Sequence, residues 1–206
     1  MRVLTLPNDA SPSFSKLSLS LASTEKEIKE VQRLRYKVFI EAMGLSSLTN
    51  AEGLDKDEFD EHCDHLIVRD NKTLKVVGTY RILGPQAARH LGRYYSEKEF
   101  DLARLHNIRS SIAEAGRACI HPDYRSGAVI MLLWAGLAAY MRRERCNFLI
   151  GCASISLSDG GHNAAAIYHS FKKEDFAPLE YRVTPHLPFP LDNMDHAQEG
   201  RIPPLL

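Results

Sequence analysis

Apolar and polar residues alternate with period two in Lys16–Ala22 (KLSLSLA), which predicts a half-buried strand. Thr24 and Glu27 then fit a capping box. Ile28, Val31, Leu34, Val38 and Phe39 follow at helical spacing, so Glu25–Ala42 reads as an amphipathic helix. His65–Arg69 and Leu74–Leu83 are strand-like runs joined at Asp70–Thr73, a hairpin that Gly84 and Pro85 close. Glu97–Leu105 fits a short helix. Ala113–Ile120 is a short apolar run with the pattern of a buried strand, His121–Gly127 is a turn, and Ala128–Met141 is almost wholly apolar and rich in helix formers. Asn147–Ile155 reads as a second buried strand, Ser158–Gly161 as a turn, Asn163–Lys173 as a helix and Leu179–Thr184 as a last strand.

This order predicts an α/β fold with a mostly antiparallel first half. The unit Ala113–Ile120, Ala128–Arg142, Asn147–Ile155 is a parallel, right-handed βαβ crossover. No repeat or linker divides the chain, so residues 1–206 read as a single domain with a mixed central sheet flanked by helices. The ends, 1–13 and 185–206, read as irregular.

A length of 206 residues allows a full-sized core, and 44% hydrophobic with 25% charged residues is a globular composition. Zero formal net charge and a pI near 7.1 argue against a dedicated nucleic-acid binder. The four cysteines, Cys63, Cys119, Cys146 and Cys152, show no CxxC spacing and read as reduced, buried thiols. Pro7, Asn8 and Asp9 interrupt any secretory core after Arg2. Ala128–Met141 is shorter than the ~20 residues that span a bilayer, so a buried helix is expected and surface association stays open.

Three places carry candidate chemistry. A strand, a tight turn and a helix start at Arg125–Ser126–Gly127–Ala128 suit a phosphate, because the orphan N–H groups of the helix meet an anion there. An ordinary strand-to-helix connection has the same pattern. Arg35 lies beside the apolar stripe of its helix, either snorkelling to solvent or aimed into a cleft. Ser46–Asp64 is polar and acidic around Phe59, the composition of a solvated loop. His62, Cys63, Asp64 and His65 are adjacent in an extended run whose side chains alternate faces, so no metal site is expected from them.

With the loop before Ala128, the element order resembles the GNAT acyltransferase superfamily. LRYKVF (Leu34–Phe39), FDEHCDHL (Phe59–Leu66), VVGTYRIL (Val76–Leu83) and EAGRACI (Glu114–Ile120) look like the branch that holds the acyl-homoserine-lactone synthases. YYSEKEFDL (Tyr94–Leu102), the block Gly116–Tyr140 and LIGCASI (Leu149–Ile155) are similar to bacterial ornithine N-acyltransferases. The lactone synthases carry a Trp soon after the VF pair, and Ile40–Leu45 has none. The ornithine enzymes continue with further apolar sequence where this chain stops at IPPLL.

The resemblance implies transfer of a 3-hydroxyacyl group from acyl carrier protein, or from coenzyme A, to the α-amine of ornithine. That gives lyso-ornithine lipid in the cytoplasm or peripherally at the inner membrane, with no bound cofactor and no nucleic acid. It implies a cleft lined by Arg35, Phe39, Asp60, Asp64, Arg81, Glu114 and Arg117, with the donor phosphate at Arg125–Ala128. Glu114 is then the base that deprotonates the amine, since desolvation on an apolar strand strengthens a carboxylate as a proton acceptor. Arginine forks suit the acceptor's carboxylate, and Asp60 and Asp64 suit its ammonium. For each of these, a fold-stabilising ion pair is the competing reading. Backbone N–H groups of Arg117–Ile120 suit an oxyanion. Arg142, Arg143, Arg145, Lys172 and Lys173 are candidates for meeting the acidic carrier. Cys119 reads as a small buried hydrophobe and Tyr168 as packing. An N-acyltransferase with another amine acceptor, an acyl-homoserine-lactone synthase and a non-catalytic acyl-carrier or lipid binder are the alternatives.

Overall fold

The computed structural model describes residues 2–3, 16–41 and 50–190, with side chains from 16 to 40 and from 50 onward. In chain order the elements are β1 (Arg2–Val3), β2 (Leu17–Leu21), α1 (Glu25–Arg35), β3 (Asp64–Asp70), β4 (Val76–Leu83), α2 (Pro85–Leu91), β5 (Phe100–Asp101), β6 (Ile112–Ile120), α3 (Ala128–Glu144), β7 (Phe148–Ile150), α4 (His162–Ser170) and β8 (Thr184–Pro185). One mixed sheet has the order β1-β2-β3-β4-β6-β7. Its neighbours are antiparallel except β6 and β7, which are parallel across α3. β5 and β8 form a separate two-strand ribbon.

Pleating sorts the side chains onto two faces. Leu19 and Leu21 of β2, Leu66 and Val68 of β3, Ile82 of β4, and Ala113 and Ala115 of β6 pack under Leu132, Leu133, Leu137 and Tyr140 of α3. This explains the Leu–Ser alternation of β2 and the nearly continuous apolar composition of α3. The other face carries Ile67 and Cys119 against Val31, Leu34 and Val38, and Leu83 and Ile112 against Phe59, Tyr94, Leu102 and Leu105. At Gly78 the helix comes so close that a Cβ would overlap the Val129 side chain.

The Thr24 capping box is present. Its hydroxyl accepts from the Glu27 amide at 3.2 Å, and the Glu27 carboxylate accepts from the Thr24 amide at 3.2 Å. The segment Glu25–Ala42 is α-helical only to Arg35. A wider π-helical turn, Tyr36–Glu41, follows, and Ala42 lies outside the described residues. Pro85 does not end a structured stretch: it opens α2, where a missing N–H costs nothing, and Gly92 at φ 79° ends that helix.

Glu97–Leu105 is not one helix. Tyr95–Lys98 forms a 3-10 turn, β5 follows, and Ala103–Ser111 is a longer 3-10 segment. The strand expected at Asn147–Ile155 is paired only over Phe148–Ile150: its last partner is Glu114, and from Gly151 on the chain no longer pairs with β6. Leu179–Thr184 is a 3-10 turn, Leu179–Tyr181, leading into β8. Of the ends expected to be irregular, 1–13 and 185–206, Pro185 belongs to that ribbon, and residues 4–13 and 191–206 lie outside the described residues.

Candidate active site

The pairing of β4 with β6 is regular from Leu83↔Glu114 to Arg81↔Gly116, then resumes at Thr79↔Cys119. Arg117 and Ala118 together face the single residue Tyr80, which is a β-bulge, and Arg117 has φ 52°. A non-glycine residue in that conformation is costly and clusters at functional sites. On the other side, β7 stops pairing at Ile150 while β6 runs on to Ile120. Beyond Glu114 the β6 edge facing β7 is therefore open.

From Asn50 on, the acidic segment does not extend into solvent. It folds under the sheet and meets three arginines. Arg35 is 1% exposed and forks onto Asp60, Nη1 to Oδ1 and Nη2 to Oδ2 both at 2.8 Å. Its Nη2 also donates to the Asp55 carbonyl, and its Nε lies 2.9 Å from Asp55 Oδ2 as an ion contact without hydrogen-bond alignment. Arg81 donates to Asp57 Oδ1 at 2.5 Å and lies 3.6 Å from Asp60 Oδ1. Arg117, one-third exposed, makes looser contacts: 3.4 Å to Asp57 and 3.6 Å to Asp55, with its guanidinium 5.9 Å above the Phe39 ring.

Burial disfavours the charges of Asp57 and Asp60. Hydrogen bonds and attraction from Arg81 and Arg35, respectively, outweigh it and hold both carboxyls below their ordinary range. His65, paired with Arg81 across β3 and β4, is buried 3.2 Å from the Asp60 carbonyl. Burial, then Arg35, pushes its pKa down. Phe59 is fully buried, with the cations of Arg81, Arg93 and Lys98 over its ring at 5.8, 5.6 and 5.0 Å.

Glu114 is buried on the same sheet face as Arg81 and is clamped by the 3-10 turn after Tyr94. Oε2 accepts from the Tyr95 amide at 2.7 Å. Oε1 accepts from the Ser96 amide at 2.7 Å and from the Ser96 hydroxyl at 2.5 Å. Cys152 Sγ lies 3.4 Å from that hydroxyl, bringing the chain after β7 to the same carboxylate. Three donors fix the carboxylate's position and leave lone-pair capacity on Oε2. The Cys63 thiol, close to Arg81, Asp60, Asp57 and Glu114, is pushed up to about 12, mainly by burial.

Gly127 precedes α3 with φ 95°, a conformation open to glycine, and no side chain caps the helix. Arg125, Ser126 and Gly127 are exposed in front of this N-terminus, so a 17-residue helix presents its first amides and positive dipole end to solvent.

The structure thus brings Arg35, Asp60, Arg81 and Arg117 together, sets Phe39 beneath Arg117, places Glu114 on the same face and puts Arg125–Ala128 at the α3 N-terminus. Asp64 stands apart. As the first residue of β3 it points to the α3 face and accepts from the Tyr140 hydroxyl at 2.9 Å. Asp55 and Asp57 take the place in the cluster that the sequence reading gave to Asp64. Ser96 and Tyr95 were also missed, and only the acidic and Tyr-Tyr-Ser composition hinted at them. Cys119 is fully buried, donates to the Leu34 carbonyl and is pushed up to about 12 by burial, which keeps the thiol protonated. Tyr168 is exposed on α4 against Phe176 and His169. Among the described residues, no group of three His, Cys, Asp or Glu is arranged for a metal ion, and no helix is long and apolar enough to cross a membrane.

Residues 34–135 match the acetyltransferase (GNAT) domain family. The chain is 37% identical over 148 residues to an L-ornithine N(alpha)-acyltransferase of Rhodobacter capsulatus, covering 68% of this chain and 57% of that protein. It is 35% identical over 186 residues to an L-ornithine N(alpha)-acyltransferase of Brucella abortus, covering 84% of this chain and 65% of that protein. It thus spans less than two thirds of the length of these curated relatives. Among solved structures, a CoA-dependent acyl-homoserine lactone synthase with bound MTA superposes with a TM-score of 0.50 at 19% identity, covering 70% of each chain, which shows a shared fold.

Proposed function

The chain is a GNAT-domain protein, and on that premise we propose that it is an N-acyltransferase that moves a 3-hydroxyacyl group from acyl carrier protein to the α-amine of ornithine. The acceptor rests on the similarity to the ornithine enzymes. The observation that carries the chemistry is the buried, clamped Glu114 carboxylate on the same face as a cluster in which a single arginine is loosely held.

Charge balance assigns the roles. Arg35 is matched by Asp60 and Arg81 by Asp57, so these pairs hold the loop and shape the cleft. Arg117 keeps its partners beyond 3.3 Å and is partly exposed, which leaves it able to turn its fork to the acceptor's carboxylate. An acyl thioester reacts with a neutral amine. Glu114, directly or through one water, takes the proton as the nitrogen attacks the carbonyl carbon. The tetrahedral oxyanion has amides of the open β6 edge, Arg117–Ile120, within the same stretch. The C–S bond then breaks and the thiolate takes up the proton. The donor's phosphate sits on the amides of Gly127 and Ala128 with Arg125 and Ser126 beside them. Acyl-CoA is the alternative donor for this cradle.

Mass spectrometry of products from purified protein, 3-hydroxyacyl carrier protein and ornithine tests the reading. N-acylornithine is expected, and Glu114→Gln should lower turnover by about 10²–10⁴-fold while donor binding holds. An unchanged rate across the pH range in that variant would remove Glu114 as the base.

A further inference from the structure

Three basic side chains outside the cleft gather around His121, where β6 ends. Lys37, on the π-helical turn after α1, places its Nζ 3.0 Å from His121 Nε2. The Asp123 amide donates to His121 Nδ1 at 3.3 Å. Both ring nitrogens therefore face donors, whereas a neutral imidazole accepts at only one of them. Lys75, at the end of the β3–β4 turn, and Arg125 also act on this imidazole, and its one carboxylate neighbour is the exposed Asp123 at 3.7 Å. Tyr124 ties the pieces into one surface: its ring meets His121 edge-on at 5.7 Å, and its hydroxyl donates to Asp70 in the turn before Lys75 at 3.0 Å. Lys37, Lys75 and Arg125 are all exposed, and none has a salt-bridge partner among the side chains the structure describes. Apolar side chains flank them. Leu74 is 67% exposed beside Lys75, and Met131 is 60% exposed one turn into α3.

We infer that this rim is the docking surface for an acidic carrier protein. The inference rests on the reading of the donor as a carrier-bound thioester, and it names the residues that receive the carrier itself. In a chain of zero net charge, three cations without a carboxylate partner among the described side chains lie at this edge of the phosphate cradle. They come from three separate elements with two exposed apolar side chains among them. That arrangement suits a broad acidic surface, because a small phosphate needs convergent donors rather than a spread of them. A carboxylate set between Lys37 and His121 gives Lys37 an acceptor and lets the imidazole carry a proton, which resolves the clash of donors in the free protein. The sites expected at Arg142, Arg143 and Arg145 lie at the far end of the 17-residue α3, away from the cradle.

The test uses the double variant Lys37→Glu/Lys75→Glu, which leaves Arg125 in place. Its KM for 3-hydroxyacyl carrier protein should rise at least about tenfold with kcat held, while KM for the acyl-phosphopantetheine thioester, which lacks the protein, stays the same. Equal effects on both donors, or none on either, would overturn the proposal. A rise confined to acyl-CoA would overturn it too, assigning the rim to nucleotide phosphates. Should the wild type form no N-acylornithine from any donor, the catalytic reading fails by itself. Titration of holo carrier protein against the wild type and the variant then decides docking: salt-sensitive binding lost in the variant supports it, and equal or absent binding refutes it.

Discussion

Replacing Asp60 with Asn removes half of a buried ion pair while preserving volume. One side-chain oxygen can still accept from the Asp57 amide, which it does at 2.8 Å. The new NH₂ group, however, points donors at the donors of Arg35, a guanidinium only 1% exposed. Breaking one partner of such a pair costs about 3–5 kcal/mol, since a charge stays buried without its counterion. At roughly 2–4 °C per kcal/mol for a domain of this size, the melting temperature should drop by roughly 6–20 °C. Urea titration with an unchanged m-value measures the same loss at 25 °C. Glu58→Gln is the control: it removes the same charge from an exposed carboxylate that meets Arg93 and Lys98, and should leave the midpoint where it was. The double variant Arg35→Met/Asp60→Leu should lose less than the sum of the two single variants, because neither charge of the pair is then left buried alone, although Asp55 gives up its Arg35 contact. If Asp60→Asn is no worse than Glu58→Gln, or the double variant equals the sum of the singles, the buried pair does not organise the acidic segment.

Arg125→Ala should weaken donor binding, read as a higher Kd for a non-hydrolysable acyl-phosphopantetheine analogue, and an unchanged Kd would remove Arg125 from the cradle. Gly78→Ala should cost about 1–3 kcal/mol in chemical denaturation through overlap with Val129. Stability should fall with acid in two stages. His65, held neutral below its ordinary 6.5, is destabilising once pH drops under that value, and Asp57 and Asp60, held below their ordinary 3.8, lose their contribution as pH falls through their folded values. Melting temperatures between pH 8 and 3 should show both stages, with His65→Gln removing its own share of the first and leaving that of His121, which burial and Lys37 also push down. Folded protein should leave Cys119 unlabelled by a thiol reagent that modifies it in urea.

Elements whose reasons are local were legible from residues alone. The capping box, the Leu–Ser alternation of β2 and the unbroken apolar run of α3 each contain their own signal. The acidic segment misled because a run of carboxylates looks solvated until its partners are known, and Arg35 and Arg81 lie more than twenty residues away on either side. Asp57, Asp60 and Asp64 are close in sequence, and only the register of β3 sends the third to the α3 face. Pro85 has two meanings, helix opener or terminator, and the packing of Ala88 into the Phe59–Tyr94 cluster selects the first. The length of β7 was not written in its own apolar run, because it depends on where the chain parts from β6, which runs on to Ile120 with that edge open. Glu114 was singled out through resemblance; the turn that holds it lies in the YYSEKEFDL block of the same resemblance, but nothing in that block marked it as the partner of Glu114.

The extra residue at Arg117 inverts the parity of β6. Up to Gly116, even-numbered residues face the cleft and odd-numbered ones face α3, as Glu114 and Ala115 do. In a straight strand, Arg117 and Cys119 would sit in the apolar layer beneath α3 and Ile120 would face the cleft. Instead Arg117 reaches Asp57, Cys119 packs with Leu34, and Ile120 joins the α3 core. One added peptide unit thus lets neighbouring positions 116 and 117 serve the same side, and it places an arginine three residues from Glu114 where a pleated strand of the same length has no room for one. Deleting a residue here would therefore exchange cleft for core over the rest of the strand, so the bulge and the α3 packing can change only together.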